Sequence, residues 1–205
     1  MKKILTLSAG AIAAAISLAG CSTGSAGYGG SMPGMNHGDS GMSSSSAPAV
    51  AADHNTADTM FAQMMIPHHK QAVEMSDIML KKQGLNPKVS ALATRIKAEQ
   101  NPEITTMTGW LKSWNESAQM SGGMPGGGKD GMMSGDDMLK LEAAQGTEAA
   151  NLFLTQMIAH HEGAVMMAKT ETTDGKNPDA VQLSKSIVTS QEAEMQEMKD
   201  LLASL

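Results

Sequence analysis

The sequence predicts an all-α protein, a four-helix bundle assembled from two copies of one helix pair. Apolar residues recur at helical period and no stretch alternates at period two; a long segment occurs twice; Gly and Asn-Pro punctuate both copies at matching places. The chain has 205 residues, enough for one ordinary domain with appendages. Lys and Arg number 15 against 21 Asp and Glu, a net charge of -6, so nucleic acid is not an expected partner. A single Cys excludes disulfide frameworks and multi-thiolate zinc or iron-sulfur sites. A metal would have to be held by His, Met, Asp, Glu or Gln, and Met is in marked excess at 20 residues.

At the N-terminus, Lys2 and Lys3 precede an uncharged apolar run from Ile4 to Leu18. This reads as a secretory signal peptide over residues 1–20, since the run is shorter than the ~20 residues a spanning helix needs. Leu18-Ala19-Gly20-Cys21 resembles the bacterial lipobox, which implies lipidation of Cys21. The expected product is an exported protein, lipid-anchored to the membrane through Cys21 and facing the periplasm or the cell exterior. Residues 21–52 are rich in Gly, Ser and Met and are expected to be a disordered tether, because they have too little apolar surface to offset ordering. The bundle is placed at residues 53–205, with a Gly- and Met-rich linker at 117–135 between its halves.

The first copy begins with Phe61, Met65, His68, Ala72 and Met75, which share one helical face. Phe153, Met157, His160, Ala164 and Met167 repeat them 92 positions later. The second helix of each copy carries Ile96, Gln100, Glu103, Met107 and Leu111, matched by Ile187, Gln191, Glu194, Met198 and Leu202. Gly84 and Gly175 are expected as C-caps, and Asn86-Pro87 and Asn177-Pro178 as N-caps followed by proline at the first helical position. A short helix starting at Asp136 or Asp137 and ending at Gly146 is expected to lead the second copy, with Thr147 capping the long helix. Pro102 is expected to kink the second long helix near Gln100.

Each half thus directs His, Gln, Glu and Met toward the bundle axis. His68 and His160 fall at the centre of their stripes, and His69 and His161 fall 100° away at the edge. Buried polar groups need partners. One answer is a hydrogen-bonded polar layer in which Gln and Glu orient the histidines. The other is a metal site across facing helices, drawing on His68, His69, His160, His161, Met64, Met65, Met75, Met157, Met167, Gln100, Glu103, Met107, Gln191, Glu194 and Met198. Met64 with His68, Met65 with His69, and Met157 with His161 are i,i+4 pairs that offer sulfur and nitrogen from one helix. Thioethers with imidazole favour Cu(I) and admit Cu(II).

The paired Met-Ile-x-His-His motifs, the trailing Ala-Val-x-Met and the Gln-x-x-Glu helices resemble an exported bacterial family of unknown function with a ferritin-like helical bundle and CopM-type copper-binding members. The resemblance implies a periplasmic or cell-surface copper-binding role, carried here by Met65, His68, His69, Met157, His160 and His161. Asp58 also matches the family's first motif, whereas its counterpart in the second copy is Ala150. The expected function is a non-enzymatic copper-binding lipoprotein that sequesters or transfers the ion and supports copper tolerance, handing it to a protein partner the sequence does not name. The alternatives are a ferritin-like metal-dependent oxidase and a Met-rich interaction module without metal. A di-iron enzyme would need Glu-x-x-His pairs, and the sequence has none. Deleting residues 22–52 is expected to leave helicity and the tightest copper site unchanged and to lower the number of weakly held Cu(I) ions; equal copper per chain at high free copper would contradict it.

Overall fold

The two copies fold as antiparallel helix pairs. A computed structural model describes residues 53–119 and 131–205; the signal peptide, Cys21, the tether and most of the linker lie outside the described residues. Helix α1 spans Thr56–Leu80 and pairs with α2, Pro87–Ser113; a short α3, Gly135–Ala143, leads into α4, Gly146–Asp174, which pairs with α5, Pro178–Leu202. The pairs meet chiefly along α1 and α4, and α3 lies against both of these.

Local chemistry sets the helix starts. The Asn86 and Asn177 side chains accept hydrogen bonds from the first-turn amides of α2 and α5, each followed by proline. Asn55 with Asp58 and Ser134 with Asp137 form capping boxes on α1 and α3. Several expected boundaries are corrected. Lys81 caps α1, and Gly84, at φ +69°, turns the chain three residues later. Ser134, not Asp136 or Asp137, caps α3, which ends at Ala143; α4 begins at Gly146, and Thr147 lies inside it. Gly175 does cap α4, but in an extended conformation. Its lack of a side chain serves packing, because a Cβ there would lie 2.3 Å from Glu171 Oε1. Helix α2 runs unbroken through Pro102, and α1 does the same through Pro67.

The core divides into two apolar clusters, each drawing on all four long helices. One contains Met75, Leu92, Ile96, Phe153, Met157 and Met198; the other contains Phe61, Met65, Met107, Leu111, Ala164 and Ile187. The first half of α1 therefore packs with the last half of α4, and the reverse, as an approximate twofold relation between the copies requires. Between the clusters lies the polar stretch of each helix.

The N-terminus of α1 is tied to the α4–α5 turn through a buried acid pair. Asp58, fully buried, accepts hydrogen bonds from the backbone N–H of Asn177 at 2.9 Å and of Lys176 at 3.1 Å. Burial alone would raise its pKa, but these donors, that of Asn55 and a hydrogen bond from Glu171 hold it below the ordinary value. Glu171 moves the other way, to about 8, through burial first and then through the hydrogen bond and charge of Asp58. The folded protein keeps a proton on Glu171 that the unfolded chain releases near 4.5, so stability falls as pH rises from about 4.5 to about 8. Glu171→Gln, which keeps a donor toward Asp58 and cannot ionise, should raise the melting temperature more at about pH 8.5 than at about pH 5. Equal effects at both pH values in thermal scans would contradict this assignment.

Candidate metal centre

Four imidazoles occupy the layer between the two clusters. His68 and His160, on α1 and α4, lie with ring centroids 3.7 Å apart and planes tilted by 40°. His69 and His161 were expected at the edge of their helices, yet both are 0% exposed. Each helix packs on more than one neighbour, so the buried arc is wider than a single stripe and takes in the second His of each motif.

His69 Nε2 lies 2.7 Å from Glu103 Oε2 on α2, and His161 Nε2 lies 2.8 Å from Glu194 Oε2 on α5. In both pairs the carboxylate oxygen accepts and Nε2 donates, so Nδ1 is the ring atom that the carboxylate does not engage. Among the described residues neither Nδ1 has a hydrogen-bond partner. Glu103 and Glu194, expected among the ligands, are thereby engaged as orienting groups for imidazoles. Carboxylates commonly hold metal-binding histidines in this way, fixing tautomer and ring direction. Gln100, 3% exposed, has no partner among the described residues at either amide atom, and the Gln191 Oε1 is likewise without one. Burial, then the charges of His68, His161 and His69, pushes the His160 pKa well below the ordinary range. That ring is neutral at neutral pH.

The thioethers divide into two groups. Met65 and Met107 sit in one apolar cluster, and Met75, Met157 and Met198 in the other, all fully buried. The histidine layer thus has buried sulfur on both sides. Met167, expected on the inward stripe, and Met64, expected to share an ion with His68, are both half-buried and line a cleft between α1 and α4. Among the described residues no three His, Cys, Asp or Glu side chains come together to hold an ion by themselves. An ion at this layer would need thioether or amide donors beside imidazole, a set that suits a soft cation better than a hard one. The sequence reading did not anticipate Glu171 or Met60. The i+4 spacing of Met60 and Met64 was the available signal for the latter, and none existed for a pairing between Asp58 and a residue 113 positions away.

The sequence profile of a domain of unknown function, DUF305, matches residues 58–202. The chain belongs to this family. No match is found among curated proteins. A DUF305 protein from Streptomyces coelicolor, described as secreted, is 36% identical in sequence; the superposition covers 72% of this chain and 93% of that one with a TM-score of 0.68. CopM in its Cu(I)-bound form is 31% identical, with 72% and 96% covered and a TM-score of 0.59. In its Cu(II)-bound form the values are 33%, 72%, 96% and 0.62. The all-α bundle expected from the sequence is therefore the DUF305 fold.

The two orienting pairs differ in exposure, with the Glu103 side chain 20% exposed and that of Glu194 8%. Glu194→Ala should destabilise the protein by about 1–3 kcal/mol, because it strands the buried His161 Nε2. Glu103→Ala should cost less, since water reaches the vacated position. Urea unfolding of both variants checks the order; a larger loss for Glu103→Ala would contradict it.

Proposed function

We propose that this DUF305 protein binds monovalent copper in its core and sequesters or transfers it outside the cytoplasm, as a non-enzymatic lipoprotein anchored at Cys21. The observation that carries the reading is the pair of buried imidazoles, His69 and His161, each oriented by a carboxylate and each left with an unpartnered Nδ1. Beside them stand His68 and His160, and buried methionines lie on both sides of the layer. Imidazole and thioether together form the donor set that Cu(I) prefers, and a thioether carries no proton to lose. The likeness to CopM, solved with Cu(I) and with Cu(II), supports the same ion. The likeness to a secreted relative supports export. No described helix is long and apolar enough to cross a membrane; the lipobox-like Leu18-Ala19-Gly20-Cys21 supports anchoring through a lipid on Cys21.

The roles follow from position. His68, His69, His160 and His161 hold the ion, the fully buried methionines complete its surroundings, and Glu103 and Glu194 fix the ring orientation. Replacing both His68 and His160 by Ala should weaken Cu(I) binding by well over tenfold in titrations against a competing chelator, while exposed Lys81→Ala has no effect. Unchanged affinity in a double variant of native helicity would overturn the proposal.

A further inference from the structure

The approximate twofold relation makes two equivalent grooves between α1 and α4, and the protein treats them differently. In one, Leu152, Gln156, Met75 and Met79 form the groove, and α3 lies over it: Gln156 Nε2 donates to the Asp137 carbonyl oxygen at 3.1 Å, and Leu141 joins Met75 and Met79 in one core cluster. The equivalent positions of the other groove are Met60, Met64, Met167 and Glu171. Among the described residues no helix covers them. They line an open cleft of about 340 Å³, together with Phe61 and Asp174, and Met60 is 39% exposed.

The covered copy shows what packing alone asks of these positions: leucine at 152 and a hydrogen-bonding glutamine at 156. The open copy places a thioether at both, opposite the thioether of Met167. A leucine would shed as much water as methionine does, so apolar burial does not explain sulfur at a partly solvated site. Three neutral soft donors lining one cleft beside the Asp174 carboxyl group suit a soft monovalent cation. We infer that Met60, Met64 and Met167 form a second, solvent-open site for monovalent copper or silver, distinct from the histidine layer. The site adjoins that layer, because Met64 precedes His68 on α1 by about 6 Å of helical rise. The inference does not depend on metal binding by the histidines.

Silver nitrate titrated into the full chain carrying 13C-methyl methionine and 15N-histidine reads both sites at once. The methyl signals of Met60, Met64 and Met167 should shift together and saturate, while that of exposed Met166 does not move. A Met60→Leu, Met64→Gln, Met167→Leu variant, which installs the residues of the covered groove at positions 60 and 64, should bind one fewer Ag(I) per chain with unchanged circular dichroism. Met166→Leu should lose none. Unmoved cleft methyls, or an undiminished silver count in the triple variant, would overturn the inference. The wild-type methyl shifts decide the matter even where that variant folds poorly. Histidine signals report the core separately: their failure to move would contradict the core proposal and leave the cleft standing.

Discussion

The rest of the structure is organised around the burial of four imidazoles in the middle of a small helical bundle. A buried ring nitrogen without a partner is costly, and a layer of four imidazoles on two facing helices asks for polar partners that a purely apolar core does not supply. The bundle meets part of the demand with Glu103 and Glu194, which approach from the outer helices and accept from His69 and His161. It meets another part by keeping His160 neutral. The layer splits the hydrophobic core in two, so cohesion comes from two clusters that each recruit all four long helices. The remaining cost stands at the Nδ1 atoms of His69 and His161 and the Gln100 amide, which have no partner among the described residues, and a soft metal ion would relieve it.

Internal duplication makes such a layer simple to build. One His-His motif per copy, placed by the twofold relation against its counterpart, gives a symmetric set from a single helix-pair design. The departures from symmetry then carry the information. Asp58 has no acidic counterpart, and its carboxylate serves as a tie between α1 and the α4–α5 turn. Among the described residues α3 covers one of the two related grooves and no helix covers the other, whose methionine content is higher where solvent reaches it.

Much of this was legible in the sequence, because the features concerned are periodic or local. Helical period, the 92-residue repeat and the Asn-Pro starts led to the four long helices and to the buried faces of His68 and His160. Helix ends were less legible. Glycine marks a turn at residue 84, but the helix had already ended at Leu80, since the last turn is decided by what it packs against. The burial of His69 and His161 was missed for a related reason: a stripe drawn on one helix shows the face toward one neighbour, and these rings meet Glu103 and Glu194 on others. The long-range pairing of Asp58 with Glu171 and the exposure of Met64 depend on how the two copies dock, which no local pattern encodes.

X-ray absorption at the copper edge, on full-length protein loaded with less than one equivalent of Cu(I), tests the central claim most directly. Binding at the core layer predicts a first shell containing imidazole nitrogen, recognised by its outer-shell scattering, together with sulfur. A first shell of sulfur alone, or of oxygen and nitrogen without imidazole scattering, would contradict the account by placing the tightest site away from the histidines.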